Sequence, residues 1–151
     1  MNKMYLMVGC PGVGKSYYIQ QHKQPTTKVI SRDVIRFSML KDGDEYFSKE
    51  KEVYKEFIKQ INEAIEKNEV FYVDQTSLNY KARKKLFDNL KKKPDKTIAI
   101  YLKSSLDKIL EQNALRTGRS HVPEDAVENM YYSIEEPELE EGFDEIWTIE
   151  R

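Results

Sequence analysis

The sequence predicts an α/β fold, a parallel sheet with helices on both faces. Three observations carry this. Short, β-branched apolar runs alternate with longer segments whose apolar residues recur every three or four positions, the pattern of strands joined by crossover helices. A glycine-rich stretch, Gly9 to Ser16, separates the first apolar run from the first helical one. Two later apolar runs deliver the carboxylates Asp33 and Asp74 at their ends, and sheets of this kind bind ligands beyond the carboxyl ends of their strands. The glycine-rich stretch, Asp33 and Asp74 are therefore expected to face one cleft.

Asn2 to Val8 reads as the first strand and Lys15 to about Gln21 as the first helix, broken by Gln24-Pro25-Thr26-Thr27. Lys28 to Ser31 is a second strand, β-branched and apolar at its centre. Ser31 or Asp33 can cap the following helix, which carries Val34, Ile35, Phe37, Met39 and Leu40. After the turn Lys41 to Asp44, the apolar residues Val53, Tyr54, Phe57, Ile58, Ile61, Ala64 and Ile65 predict a long amphipathic helix from about Ser48 to Lys67. Val70 to Asp74 is the third strand, Asn79 to about Lys92 a helix, and Thr97 to Leu102 the fourth strand. Ser104 or Ser105 caps a helix that runs to about Arg116. Thr117 to Pro123 is a loop, and Glu124 to about Ser133 a helix with Pro123 in its first turn. Alternation over Glu145 to Ile149 predicts a last strand. With 151 residues and no linker or repeat, residues 1–151 are expected to form one domain.

Gly9-Cys10-Pro11-Gly12-Val13-Gly14-Lys15-Ser16 fits G-x-x-x-x-G-K-[ST] at every fixed position, between a strand and a helix. That is a P-loop. Glycines let successive backbone N–H groups, those of Gly12, Val13 and Gly14 among them, curl around phosphate oxygens. Lys15 neutralises the β- and γ-phosphates, and the Ser16 hydroxyl is a Mg²⁺ ligand. Asp74, ending an apolar strand, is the second candidate for the metal, its other reading being a turn residue. Asp33 is placed to orient an acceptor hydroxyl and take its proton, and Arg36, one helical turn on, to hold an adjoining phosphate. From spacing alone, a capping aspartate beside a surface arginine accounts for the pair equally well. Arg116 and Arg119 flank a glycine after a helix, where guanidinium groups could be brought onto a transferring phosphoryl group or merely complement a helix C-terminus. No N-K-x-D guanine-reading motif occurs, which favours ATP.

Composition narrows the class further. No apolar run approaches the ~20 residues that span a bilayer, and no secretory h-region opens the chain. A single cysteine, Cys10, suits a reducing compartment, so a cytoplasmic protein without a membrane partner is expected. Cys10 itself reads as a small residue filling the loop. The net charge of −1 conceals segregation: residues 81–119 hold 12 basic and 4 acidic residues, and residues 120–151 hold 1 and 11. The basic segment is available to a polyanion, or is a set of solvated lysines.

Four blocks together resemble a known family: Gly9 to Ser16, Ser31-Arg32-Asp33-x-x-Arg36, Asp74-x-Thr76-x-Leu78-Asn79, and Asn113-x-x-Arg116 followed by Val122-Pro123 and Met130-Tyr131. In order and spacing they are similar to the kinase domain of phage-type 5′-hydroxyl polynucleotide kinases, within the P-loop kinase and AAA-type ATP-binding group. The resemblance implies a P-loop NTPase fold of the nucleoside-monophosphate-kinase-like kind, with a small arginine-bearing lid at about 117–123. It implies ATP and Mg²⁺ as cofactors and the 5′-OH end of DNA or RNA as substrate. It gives Asp33 the role of general base, Arg36 that of a contact to the acceptor's 3′-phosphate, and Arg116 a place in the lid over the triphosphate. Val34 and Gln112 depart from residues common in that family. A small-molecule alcohol as acceptor, or a nucleotide switch with none, are the other readings.

Overall fold

The computed structural model describes residues 1–116 and 122–151. Its strands are β1 (Lys3–Val8), β2 (Lys28–Ser31), β3 (Val70–Asp74), β4 (Lys96–Lys103) and β5 (Glu145–Glu150). All pair in parallel, in the order β2-β3-β1-β4-β5. Six helices connect or flank them among the described residues: α1 (Lys15–His22), α2 (Arg32–Met39), α3 (Glu50–Glu66), α4 (Tyr80–Asp88), α5 (Leu106–Ala114) and α6 (Glu124–Tyr132).

Strand periodicity builds both faces. On β1, Met4 and Leu6 point into one apolar layer with Phe71 and Val73 of β3 and with Val53, Phe57 and Ile61 of α3. Met7 points into the other, with Tyr72, Ile98 and Ile100 of the sheet, Ile19 of α1, Ile109 of α5 and Val127 of α6. The central strands are buried on both sides, hence their almost unbroken apolar sequence. The expected parallel α/β sheet is therefore the fold found. No helix among the described residues is long and apolar enough to cross a membrane.

Local chemistry sets the element ends. Ser31 caps α2, its Oγ accepting from the Val34 amide at 3.2 Å, which leaves Asp33 free of that duty. Asn79 and Ser105 cap α4 and α5 in the same way. Helix α4 is shorter than the sequence suggests. Asn89 folds back on it, its backbone N–H donating to Lys85 and Leu86 carbonyls and its side chain to Lys85, so Leu90 joins the core from a turn. Pro123 sits at the N-cap of α6 instead of inside its first turn. A 3-10 turn at Leu139–Glu141, ended by Gly142 at φ 119°, had no signal in the periodicity.

Candidate active site

The loop from Gly9 to Ser16 joins the central strand β1 to α1, so it lies at the middle of the sheet's carboxyl edge. Gly12 and Gly14 take φ values of 87° and 100°, which side chains other than glycine rarely adopt. At Gly12 a Cβ would also lie 2.9 Å from the Ile109 carbonyl oxygen, so α5 packs directly against the loop. Helix α1 begins at Lys15 with no side-chain cap, and its N-terminus points its positive dipole end at the loop.

The Lys15 ammonium donates to the carbonyls of Gly9 (3.1 Å) and Cys10 (3.0 Å). Burial holds its pKa below the ordinary lysine value; Asp74 opposes this and Arg116 adds to it, with Cys10 and Asp33 also felt. Charges on three other segments, Asp74, Arg116 and Asp33, thus act on this one ammonium. Cys10 is 1% exposed, and burial pushes its thiol up to about 11 against the pull of Lys15, as befits a loop-filling residue.

Ser16 and Asp74 meet: the hydroxyl donates to the carboxylate at 2.8 Å. This pair of hard oxygens fits Mg²⁺, which commonly takes one or two protein ligands and completes its shell with phosphate and water. The uncapped helix and positive-φ glycines fit a polyphosphate equally well. The next residues brace the loop, since the Thr76 carbonyl accepts from the Gly9 amide at 3.1 Å.

Sheet register brings Asp33 and Arg36 to the same edge of the sheet. Ser31 is opposite Asp74, so Arg32 and Asp33 emerge beside the Asp74 loop, and Arg32 donates to Gln75 at 3.2 Å. Asp33 is exposed in the first turn of α2, while Arg36, only 6% exposed, lies beneath it and is ion-paired to it through Nη1. The alternative of a surface arginine is therefore overturned. Glu50, at the start of α3, holds Arg36 through Nε (2.9 Å) and Nη2 (2.6 Å) and reaches Arg32 at 3.0 Å. Burial disfavours the Arg36 charge, but Glu50, Tyr46 and Asp33 outweigh it and hold the guanidinium above the usual arginine range. Burial likewise pushes Glu50 up, and its bonds to Arg36 and Arg32 bring it below the ordinary value. The Tyr46 hydroxyl accepts from Arg36 (3.0 Å) and donates to Asp33 (3.3 Å).

Arg116 follows α5, half-buried, its backbone N–H donating to Asn113. The Asn113 carboxamide donates to the Val122 carbonyl (2.6 Å) and accepts from its amide (3.1 Å), pinning together the two ends of the segment between them. Arg119, and residues 117–121 of the expected lid, lie outside the described residues. Sequence reasoning missed Glu50, Tyr46 and the bonding of Arg32, for which no local motif exists.

The geometry can be set beside known proteins. The L-seryl-tRNA(Sec) kinase of Methanococcus maripaludis is 28% identical over 147 residues, covering 93% of this chain and 56% of that protein. The chain thus spans little more than half the length of that curated relative. In fold it is similar to a chain of the Pnkp1/Rnl/Hen1 RNA repair complex (TM-score 0.73, 16% identity, 87% of this chain and 43% of that one). It is also similar to a gluconokinase from Sinorhizobium meliloti 1021 (TM-score 0.64, 19% identity, 98% and 82%). A sequence model of the family described as AAA domain matches residues 4–137, and the chain belongs to that family.

Proposed function

We propose that residues 1–151 form one ATP-dependent kinase domain that transfers the γ-phosphoryl group to the 5′-OH end of DNA or RNA. One observation supports the reading: a carboxylate and a buried guanidinium, Asp33 and Arg36, are bonded to each other just past the end of β2, next to the strand whose Asp74 accepts from Ser16 of the phosphate loop. A switch ATPase has no use for such a pair, whereas an acceptor hydroxyl flanked by a phosphate needs both members. Asp33 orients the hydroxyl and takes its proton. The acceptor oxygen forms a bond to the γ-phosphorus as the bond from that phosphorus to the β,γ-bridging oxygen breaks, and ADP leaves. Lys15 and Arg116 stabilise the charge on the transferring group. Ser16 and Asp74 would hold Mg²⁺, which when bound neutralises β- and γ-phosphate charge. The lone buried thiol accords with action in the reducing cytoplasm.

The test is transfer of labelled phosphate from ATP to 5′-OH DNA and RNA oligonucleotides. Asp33→Asn is expected to lower transfer about 10²–10⁴-fold while leaving ATP affinity within about threefold. Label appearing on a sugar or nucleoside but never on an oligonucleotide would overturn the acceptor. A second reading, a seryl hydroxyl carried on tRNA, is favoured by the seryl-tRNA kinase relative, so seryl-tRNA belongs in the same panel.

A further inference from the structure

Beside Asp33 and Arg36 lies an aromatic surface that the fold leaves open. The turn between α2 and α3 carries Tyr46 and Phe47 back over Arg36, whose guanidinium carbon is 4.7 Å from the Tyr46 ring centroid and 5.7 Å from that of Phe47. The two rings meet edge to face, 4.6 Å apart and inclined at 79°. Phe37 of α2 contacts Tyr46 from 6.0 Å, also edge to face. With its hydroxyl tied to Arg36 and Asp33, Tyr46 is fixed both by its ring and by its oxygen. Phe47 is 68% exposed, and so is Val34, the residue following Asp33. Tyr46 and Phe37 are half-buried against each other, whereas most of the Phe47 ring is exposed.

We infer that Phe47, braced by Tyr46, is a stacking platform for the 5′-terminal base of the acceptor strand. The inference rests on the acceptor reading above and adds to it which part of the terminal nucleoside is gripped. If the 5′-hydroxyl sits at Asp33 and the 3′-phosphate at Arg36, the sugar lies over that ion pair. The base is attached to this sugar and reaches only surfaces adjoining the pair, among which Phe47 presents the open aromatic ring. Every base has a π-face, so a single phenylalanine adds affinity without sequence preference.

The experiment compares two 5′-OH oligonucleotides that differ only in whether the terminal nucleotide carries a base or is abasic. The intact acceptor is expected to show a kcat/KM roughly tenfold higher, chiefly through KM. Phe47→Ala should bring that ratio close to one and Phe47→Leu should lower it, while Phe47→Trp should keep or raise it. A second readout does not depend on turnover: Phe47→Trp fluorescence, above the Trp147 background, should be quenched by a nucleoside 3′-phosphate and not by ribose phosphate. Equal use of both oligonucleotides by the unaltered enzyme, or a base preference that survives Phe47→Ala, overturns the platform. Failure to phosphorylate either oligonucleotide while another alcohol is accepted overturns the acceptor reading and the platform with it, a result distinct from equal use of both.

Discussion

Lys15 is an ammonium held by carbonyls where phosphates belong. Its two bonds, to Gly9 and Cys10, satisfy donors without supplying a counter-charge, and burial lowers its pKa. A bound triphosphate supplies that charge and restores the proton's affinity. Nucleotide binding should therefore take up a proton, and affinity should fall as pH rises through the lowered lysine pKa. In the free protein the sign is opposite: stability rises between the lowered pKa and the ordinary value of 10.5, because there the unfolded chain binds the proton more tightly. Calorimetry across neutral to alkaline pH, in buffers of different ionisation enthalpy, checks both. Lys15→Met should weaken nucleotide binding about 10–100-fold at neutral pH and flatten the profile.

At the scale of elements, the proposed acceptor side depends on one carboxylate joining two helices. Glu50 of α3 takes the Nε–Nη2 edge of Arg36 and a nitrogen of Arg32, so α2 is fixed against α3 with Asp33 facing outward. Glu50→Gln removes the counter-charge and one of the two acceptors on that edge of Arg36, and should cost about 2 kcal/mol, discounted for the partial exposure of Glu50. Because the folded protein holds Glu50 below 4.5, its contribution is complete above that pH and is lost as pH falls through the lowered value. Denaturant unfolding at a series of acidic pH values should show a shallower loss in the variant. The phosphate loop was legible because its parts are contiguous in sequence, and α3 because seven apolar residues keep one period. The Glu50–Arg36 bond was not, since 14 residues and a turn separate its partners and nothing in either helix marks the other. The end of α4 escaped for a related reason: Leu90 continues the apolar period although Asn89 has already turned the chain.

Over the whole molecule, the charge segregation read from the sequence becomes contact. The acidic C-terminal stretch folds back onto the basic middle, pairing Glu141 with Arg83, Glu136 with Lys103 and Glu145 with Lys96. Lys91, Lys92 and Lys93 remain exposed, so the surface left for a polyanion is smaller than the raw count implies. Arg83 matters most, being fully buried 58 residues from Glu141 in sequence. Its guanidinium donates to both Glu141 oxygens (2.7 and 3.2 Å), to the Ser77 carbonyl (2.7 Å) and to the Glu135 carbonyl (2.9 Å). It therefore joins α4, the loop after Asp74 and the returning tail. Ser77 has a φ of 48°, a conformation that non-glycine residues rarely hold without support, and its neighbour Thr76 braces the phosphate loop at Gly9. Arg83→Met leaves two carbonyls without this donor and the Glu141 carboxylate without its counter-charge, bonded to the Glu138 amide alone, and should cost about 3–5 kcal/mol, or roughly 10 °C in Tm for a chain of this size. It should also weaken ATP binding through the loosened loop. Adding Glu141→Leu removes the uncompensated charge but also the acceptor of the Glu138 amide, and should recover part of the stability but little of the ATP affinity, because Ser77 is still unsupported. Thermal unfolding and ATP titration of the single and double variants separate the two effects; a double variant less stable than Arg83→Met would show that the Glu141 cap on the Glu138 amide outweighs its uncompensated charge.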